Sequence, residues 1–243
     1  MPQSDSEAAR WYLKSAEHGR AEAQTNLAWM YKDGLGVGRS NVQAAAWYRK
    51  AAEQGYALAE FNLGVMYANG WGLVGDEEQA FGWYLKAAEQ GLAMAQSRTG
   101  ICYWKGRGTV QDAAQSLRWF RLAAEQGDYP AMEWLGDAYR MENGVPMDLA
   151  KAAKLYCAAA EGLGPSAMNK CGYADLTGTP GHAPDRVEAI KWLRLAVLNA
   201  EPGEVAEYAA ANLRSALANA TEAQVKEAQR RVAAIQARVA GQK

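Results

Sequence analysis

Residues 63–70 read LGVMYANG, and residues 83–91 read WYLKAAEQG. Both stretches return along the chain at a step of 36 residues, so that the motif AAEQG stands at 51–55, 87–91 and 123–127. A fixed period of roughly 20 to 50 residues is the signature of a repeat protein. The chain is therefore predicted to be an array of similar structural units.

Several independent columns of the sequence keep this step. They are the small residues Ala28, Gly64, Gly100, Gly136 and Gly172, the tyrosines Tyr31, Tyr67, Tyr103 and Tyr139, and the aromatic pairs that begin at Trp11, Trp47, Trp83 and Trp119. The agreement weakens late in the chain, where Asp175 stands in the tyrosine column and one extra residue puts Trp192 one position past the step. The columns place repeats at about 21–56, 57–92, 93–128, 129–164 and 165–200, after a partial first unit that looks like half of a helix pair.

The first half of each repeat has the pattern of an amphipathic helix. In the second full repeat, Ala59, Leu63 and Tyr67 recur at intervals of four residues and form one apolar stripe. Gly64 lies within this helix, where glycine costs about 1 kcal/mol relative to alanine. Its return in four repeats therefore predicts a close approach between helices.

A turn and a second helix complete the repeat. Gly70 and Gly72 can take the positive φ values that a tight turn requires. Asp76 is placed to cap the start of the second helix, which carries Tyr84 on an alanine-rich face and ends at Gly91.

Two of the recurring glycines are expected to differ in importance. Gly100 is predicted to lie at a contact between helices, whereas Gly108 is predicted to lie in a turn. Leucine at position 100 is therefore expected to damage folding far more than alanine at position 108.

A single helix pair cannot bury its apolar face alone, so successive pairs must stack. The predicted fold class is all-α: an α-solenoid, a right-handed superhelix of stacked antiparallel helix pairs with a 36-residue period. The motifs at 63–70 and 83–91 resemble the Sel1-like repeat, a relative of the tetratricopeptide repeat, and the resemblance covers about residues 8–200. Residues 201–243 lose the period and are predicted to form capping helices, one from about Val205 to Leu217 and one with Thr221 as its N-cap.

The composition and the apolar runs of the chain bear on its partners and its location. Lys and Arg number 26 against 27 Asp and Glu, so we expect no nucleic-acid partner. No apolar run approaches the ~18 residues that span a bilayer, and residues 1–7 have neither part of a signal peptide. A monomer without membrane insertion is expected, and the compartment, bacterial cytoplasm or periplasm, stays open.

The three cysteines offer little chemistry. Cys102, Cys157 and Cys171 are an odd number without C-x-x-C spacing, which argues against a disulfide framework or a zinc site. They are predicted to be small buried hydrophobic residues.

Other motifs also fail as catalytic sites. Residues 70–75 match the dinucleotide pattern G-x-G-x-x-G, but they follow a predicted helix and their first two glycines recur as turn residues. His18 and His182 are the only histidines, and neither has a second ligand at metal spacing. The Ser-x-x-Lys motif, sought because the resemblance includes proteins described as β-lactam binders, does not occur. We expect no metal, no cofactor and no enzymatic activity.

The resemblance implies that the first helix of each pair lines a concave groove. Positions on these helices that change from repeat to repeat are then candidates for binding a partner, although ordinary solvated surface is the alternative for any one of them. The predicted binding residues are Trp29, Phe61, Asn62, Val65, Arg98, Ile101, Trp104, Glu133, Asp137, Arg140 and Tyr173. Large aromatic residues in such columns are typical of interaction sites, and these are expected to be at least partly exposed.

Asn62 and Arg98 precede the glycine column by two residues in successive repeats. In related repeats an asparagine and a basic residue at such positions can hold the terminal carboxylate of a peptide, so the resemblance implies a partial clamp. Trp29 stands where that clamp would have an asparagine.

The leading hypothesis is a non-catalytic scaffold or adaptor that binds a protein or peptide in the groove. A second hypothesis, also implied by the resemblance, is an immunity protein that neutralises a toxin enzyme by direct binding. A third, disfavoured by the missing Ser-x-x-Lys motif, is a β-lactam-binding or β-lactam-hydrolysing envelope protein.

Overall fold

The computed structural model describes residues 4–180 and 183–241. These residues form thirteen α-helices and no β-strand, which confirms the predicted all-α repeat solenoid. The helices are α1 (Asp5–Glu17), α2 (Ala21–Asp33), α3 (Asn41–Ala52), α4 (Ala57–Asn69), α5 (Glu77–Glu89), α6 (Ala93–Lys105), α7 (Ala113–Glu125), α8 (Tyr129–Met141), α9 (Leu149–Ala160), α10 (Pro165–Thr177), α11 (Arg186–Asn199), α12 (Glu204–Ala218) and α13 (Glu222–Ala240). None of these described helices is long and apolar enough to cross a membrane.

The chain divides into two compact units, Met1–Gln126 and Gly127–Lys243. The N-terminal unit holds α1 and three helix pairs, α2–α3, α4–α5 and α6–α7, in which α3 packs on α4 and α5 packs on α6. The C-terminal unit holds the pairs α8–α9 and α10–α11, followed by α12 and α13. Both of these last helices pack on α11, and α12 also contacts α10.

The helix ends follow the predicted capping residues. The Asp76 carboxylate accepts a hydrogen bond from the backbone N–H of Gln79 at 3.0 Å, and Gly70 ends the preceding helix with a φ of 65°. Thr221 caps α13 and forms a reciprocal capping box with Gln224. The start of each second helix and of α13 is therefore fixed by a local polar residue.

The glycine column lies where helices of one pair meet, as predicted. A Cβ atom built on Gly64 would lie 2.8 Å from the Tyr84 ring, and one built on Gly100 would lie 2.6 Å from the Phe120 ring. Both distances are shorter than a van der Waals contact, so each glycine makes room for the aromatic side chain of its own second helix.

Gly108 lies in a turn, as predicted, but it also makes a close contact that was not predicted. Gly108 has a φ of 66°, but a Cβ atom there would also lie 2.0 Å from the carbonyl oxygen of Glu77, at the start of α5. Gly72 meets the backbone of Asn41 in the same way at 2.2 Å. The second glycine of each Gly-x-Gly turn is thus a contact between successive helix pairs as well as a turn residue.

A repeated hydrogen bond donated by a glutamine side chain joins the helices of each pair in the N-terminal unit, and the sequence columns did not predict it. At the end of each second helix a glutamine Nε2 donates to a side-chain oxygen thirty residues earlier, on the first helix. The bonds are Gln54 to Gln24 at 2.7 Å, Gln90 to Glu60 at 2.7 Å and Gln126 to Gln96 at 2.8 Å. Gln24 and Gln96 in turn donate to the carbonyls of Ala16 and Ala88, so each also ties its helix to the preceding pair.

The prediction for two of the three cysteines is wrong. Cys157 on α9 and Cys171 on α10 form a disulfide with a Cα–Cα distance of 4.7 Å, because successive antiparallel helices bring these positions together. Cys102 is a free, buried thiol, as expected. The disulfide therefore joins two successive helix pairs of the C-terminal unit.

Candidate functional site

In the N-terminal unit, some variable positions of the first helices are open to solvent, whereas Thr25 and Ser97, in the column of Phe61, are buried. The repeated residues Leu63 and Met66 of α4 are fully buried. The side chain of Trp29 is 48% exposed, although it lies on α2 beside the buried Ala28. Among the other predicted residues on these helices, Arg98 is exposed. The half-buried ones are Phe61, Asn62, Val65, Ile101 and Trp104.

The half-buried aromatic residues of this surface rest on the second helices. The ring centroid of Phe61 lies 5.7 Å from that of Tyr84, and the centroid of Trp104 lies 6.2 Å from that of Phe120. Phe61 and Trp104 are thus held by packing on one side and open on the other, which limits the conformational entropy they would lose on binding. Trp29 is the most exposed aromatic residue of the predicted set in this unit.

The two polar residues of the predicted clamp differ in freedom. The Asn62 Nδ2 donates to the backbone carbonyl of Leu58 at 2.7 Å, so its amide nitrogen is engaged by its own helix. Arg98 is exposed. Burial raises the pKa of Tyr84 to about 12 and that of Cys102 to about 11, and the positive charge of Arg98 opposes both shifts. Arg98 is therefore an exposed positive group close to Tyr84 and Cys102.

In the C-terminal unit, several predicted residues belong to one polar network centred on Asp137. The Asp137 carboxylate accepts hydrogen bonds from the Tyr156 hydroxyl at 2.8 Å and from Lys170 Nζ at 2.7 Å. Lys170 also donates to Glu133 at 2.8 Å, and Arg140 Nε donates to the Tyr156 hydroxyl at 3.1 Å. Burial, followed by the neighbouring Asp137 charge, raises the pKa of Tyr156.

This network changes the interpretation of two predicted binding residues. Asp137 is only 7% exposed and accepts a hydrogen bond from an internal donor at each carboxylate oxygen, so its prediction as a surface contact is corrected. Glu133 is half-buried and pairs with Lys170. Lys170 continues the column of Asn62 and Arg98, and following that column further along the sequence would have identified it.

Beside this network lies an open cavity of 280 Å³ that belongs wholly to the C-terminal unit. Arg140, Asn169 and Tyr173 line it, together with Asn212 of α12. Tyr173 is 52% exposed, and the side chains of Asn169 and Asn212 are bonded to each other at 2.9 Å. The cavity therefore offers an exposed aromatic ring next to a guanidinium and two amides.

Within the part of the chain that the structure describes, the residues considered for catalysis or metal binding do not lie together in such a site. His18 is exposed at the end of α1, and His182 lies outside the described residues. Within residues 4–180 and 183–241, the group of metal-type ligands that lies close together is Cys157, Cys171 and Asp175, and its two sulfurs are bonded to each other.

The spacing of these surfaces follows a known repeat. The model of the Sel1 repeat matches residues 1–19, 21–56, 57–92, 93–128, 130–162 and 165–199. The chain belongs to the Sel1 repeat family.

Solved structures of Sel1 repeat proteins are similar to this chain. A Sel1 repeat protein from Oxalobacter formigenes is 35% identical, with a TM-score of 0.68, over 76% of this chain and 75% of that one. The protective antigen c5321 of uropathogenic Escherichia coli, which displays an SLR fold, is 28% identical with a TM-score of 0.67, over 96% of this chain and 58% of that one. No match was found among curated proteins.

Proposed function

We propose that the protein is a non-catalytic scaffold that binds a partner protein or peptide on the exposed side of α2, α4 and α6. The observation that carries this proposal is the contrast between columns on the same helices. The repeated residues Leu63 and Met66 are buried, whereas Trp29, Phe61 and Trp104, at positions that vary, keep open surface. Large aromatic side chains that are partly exposed but held in place are typical anchors of protein interfaces.

The chemistry of the surface suits a largely apolar segment with some negative charge. Phe61, Val65 and Ile101 supply apolar area between Trp29 and Trp104, and Arg98 supplies a positive charge beside them. The cavity that Arg140 and Tyr173 line in the C-terminal unit is a second candidate surface for the same kind of partner.

Affinity capture tests the proposal. Wild-type protein and the variants Trp29→Ala, Trp104→Ala and Trp71→Ala are immobilised and exposed to an extract of the source bacterium, and the retained proteins are identified by mass spectrometry. Trp71 is a matched control, since it is 42% exposed but lies in the turn after α4. We expect one partner to be retained by wild type and Trp71→Ala and lost by the other two. A partner retained equally by all four proteins would contradict the proposed surface.

The disulfide bears on where in the cell the protein would bind its partner. Disulfides persist in oxidising environments such as the bacterial periplasm and the cell exterior, and are rare in the bacterial cytoplasm. The Cys157–Cys171 bond therefore favours a partner met outside the cytoplasm.

A further inference from the structure

Three side chains of the kind that bind metals meet between α9 and α10 in the C-terminal unit. The ligand atoms of Cys157, Cys171 and Asp175 all lie within 4.8 Å of one another. Cys157 lies on α9, whereas Cys171 and Asp175 are four residues apart on α10 and so share one face of that helix. Two cysteine sulfurs and a carboxylate on two packed helices are a ligand set for a thiophilic divalent cation.

The carboxylate of this triad is particular to the repeat that contains Cys171. In the four preceding repeats the column of Asp175 holds Tyr31, Tyr67, Tyr103 and Tyr139. Asp175 is 6% exposed, and one of its carboxylate oxygens lies 3.6 Å from the Cys171 sulfur. A carboxylate has a second oxygen, so a metal bond on the side of Cys171 leaves that oxygen for a hydrogen bond, as is usual for ligating carboxylates.

The triad borders an open cavity of 500 Å³, which both Cys157 and Asp175 line. Cys157 is half-buried, so its sulfur lies at the wall of this cavity rather than deep in the core. The charged residues of the wall are predominantly acidic, namely Glu161, Asp175, Asp185 and Glu188 against Lys154 and Lys191. The cavity therefore gives a hydrated cation a path to the sulfurs, and it leaves space for a water molecule at a fourth coordination position.

The disulfide and a bound metal exclude each other, because both use the sulfurs of Cys157 and Cys171. When a dithiol reduces the Cys157–Cys171 bond, the two sulfurs gain two electrons and two protons, and the dithiol becomes a disulfide. The two thiols then release their protons to solvent as the metal binds. A newly made chain has these thiols before the disulfide forms, so the ligand set belongs to the reduced protein.

We propose that the reduced protein binds one Zn²⁺ ion through the thiolates of Cys157 and Cys171 and the carboxylate of Asp175. Thiolate ligands favour Zn²⁺ over Mg²⁺ and Ca²⁺, and three protein ligands with one water complete a tetrahedral site. The disulfide is the other state of the same two cysteines. The proposal does not depend on partner binding by α2, α4 and α6, since the metal site lies on α9 and α10.

Cobalt(II) is the direct probe, because it takes the place of Zn²⁺ and its absorption reports thiolate ligands. The protein is reduced with a phosphine, which becomes its phosphine oxide, and is separated from it without oxygen before titration with Co²⁺. We expect the visible bands of tetrahedral Co²⁺ and a sulfur-to-metal charge-transfer band, complete at one equivalent. Zn²⁺ should displace the Co²⁺ with a Kd below about 1 μM. Circular dichroism checks that the reduced protein keeps its helices.

Two carboxylate variants distinguish a ligand from the general charge of the cavity. Asp175→Asn keeps the size of the side chain but removes its charge, and should weaken Co²⁺ binding at least about tenfold. Glu161→Gln is the matched control, since Glu161 lines the same cavity outside the triad, and it should change the Kd less than about threefold. Cys102→Ser should leave the charge-transfer band unchanged. Equal affinity of Asp175→Asn and the wild type would overturn the proposal.

A gain of thiolate separates ligation from folding. Asp175→Cys should strengthen the charge-transfer band and tighten Co²⁺ binding, because it adds a third thiolate, and loss of stability alone would not produce this change. The oxidised wild type should show neither the visible bands nor the charge-transfer band. A reduced, helical protein without these bands, or an oxidised protein with the same bands, would show that the cysteines and Asp175 do not form the site.

Discussion

The Gln90 side chain donates a hydrogen bond to the Glu60 carboxylate at 2.7 Å, at the place where the neighbouring helix pairs join two glutamines. Gln24 uses its amide to reach the carbonyl of Ala16, and Gln96 does the same at Ala88. A carboxylate has no such donor. Glu60 is only 4% exposed, and burial raises its pKa above the usual value.

Glu60→Gln should therefore stabilise the protein. The new amide can donate to the carbonyl of Ala52, and the buried negative charge is removed, so we expect a gain of about 1 kcal/mol at neutral pH. A raised pKa means that the contribution of Glu60 to stability is complete below its unfolded value and is lost as the pH rises through the folded value. The gain from the substitution should accordingly be larger at pH 7 than at pH 4 in urea unfolding experiments. The reverse change, Gln24→Glu, should destabilise the protein at pH 7. If the change in the free energy of unfolding of each variant were the same at pH 4 and pH 7, this account would be contradicted.

The glycine column predicts a contrast between two glycines within helices. Gly100→Ala should cost about 2 kcal/mol or more, because its Cβ atom would lie 2.6 Å from the Phe120 ring. Gly82→Ala is the control, since no atom lies within 4 Å of a Cβ atom there and alanine is the better helix former, by roughly 1 kcal/mol. Thermal unfolding should show a lower Tm for the first variant and a slightly higher one for the second.

The turn glycine Gly108 should be as intolerant as Gly100. Alanine there meets both a φ of 66° and the carbonyl oxygen of Glu77, and the two costs act together. Gly91→Ala separates them, because Gly91 has a φ of 90° but open space around it. We expect Gly108→Ala to lower the Tm clearly more than Gly91→Ala does, and similar values would show that the contact with α5 yields easily.

The disulfide predicts the number and reactivity of thiols. Under non-reducing conditions the native protein should show no thiol reactive to Ellman's reagent, because Cys102 is buried and its pKa is raised to about 11. Unfolding should expose one thiol per chain. Reduction should lower the free energy of unfolding by about 3 kcal/mol, the cost associated with a loop of this length. The double variant Cys157→Ser, Cys171→Ser should be insensitive to reductant, and three thiols in the unreduced, unfolded protein would contradict the bond.

These features differ in how far the sequence could predict them. The glycine column and the caps at Asp76 and Thr221 follow from local rules, because each needs only one residue type at a fixed place in a helix. The hydrogen bonds donated by these glutamines could have been predicted by comparing the column of Gln96 with the column of Gln126. Both columns lose their glutamine in the same repeat, where they hold Met132 and Gly162. The contact at Gly108 and the disulfide could not be predicted from the sequence, because both depend on how closely successive helix pairs stack. Asp137 stands in a variable column and was therefore predicted to lie at the surface. Only the structure shows that Tyr156 and Lys170 donate hydrogen bonds to it and that it is buried.

Substitutions on the proposed surface should change the affinity for the partner and the stability of the protein to different degrees. Trp29→Ala should weaken binding of the captured partner at least ~30-fold, which is the effect of losing an anchor worth 2 kcal/mol or more. Its Tm should change little, because a side chain that is 48% exposed contributes modestly to the core. Trp104→Ala should weaken binding similarly but should also lower the Tm, since its ring packs on Phe120 with centroids 6.2 Å apart. Trp71→Ala should alter neither quantity. Calorimetric titration and thermal unfolding of the same four proteins give both measurements, and unchanged affinity in Trp29→Ala with a large loss of stability would place that residue in the core and remove it from the site.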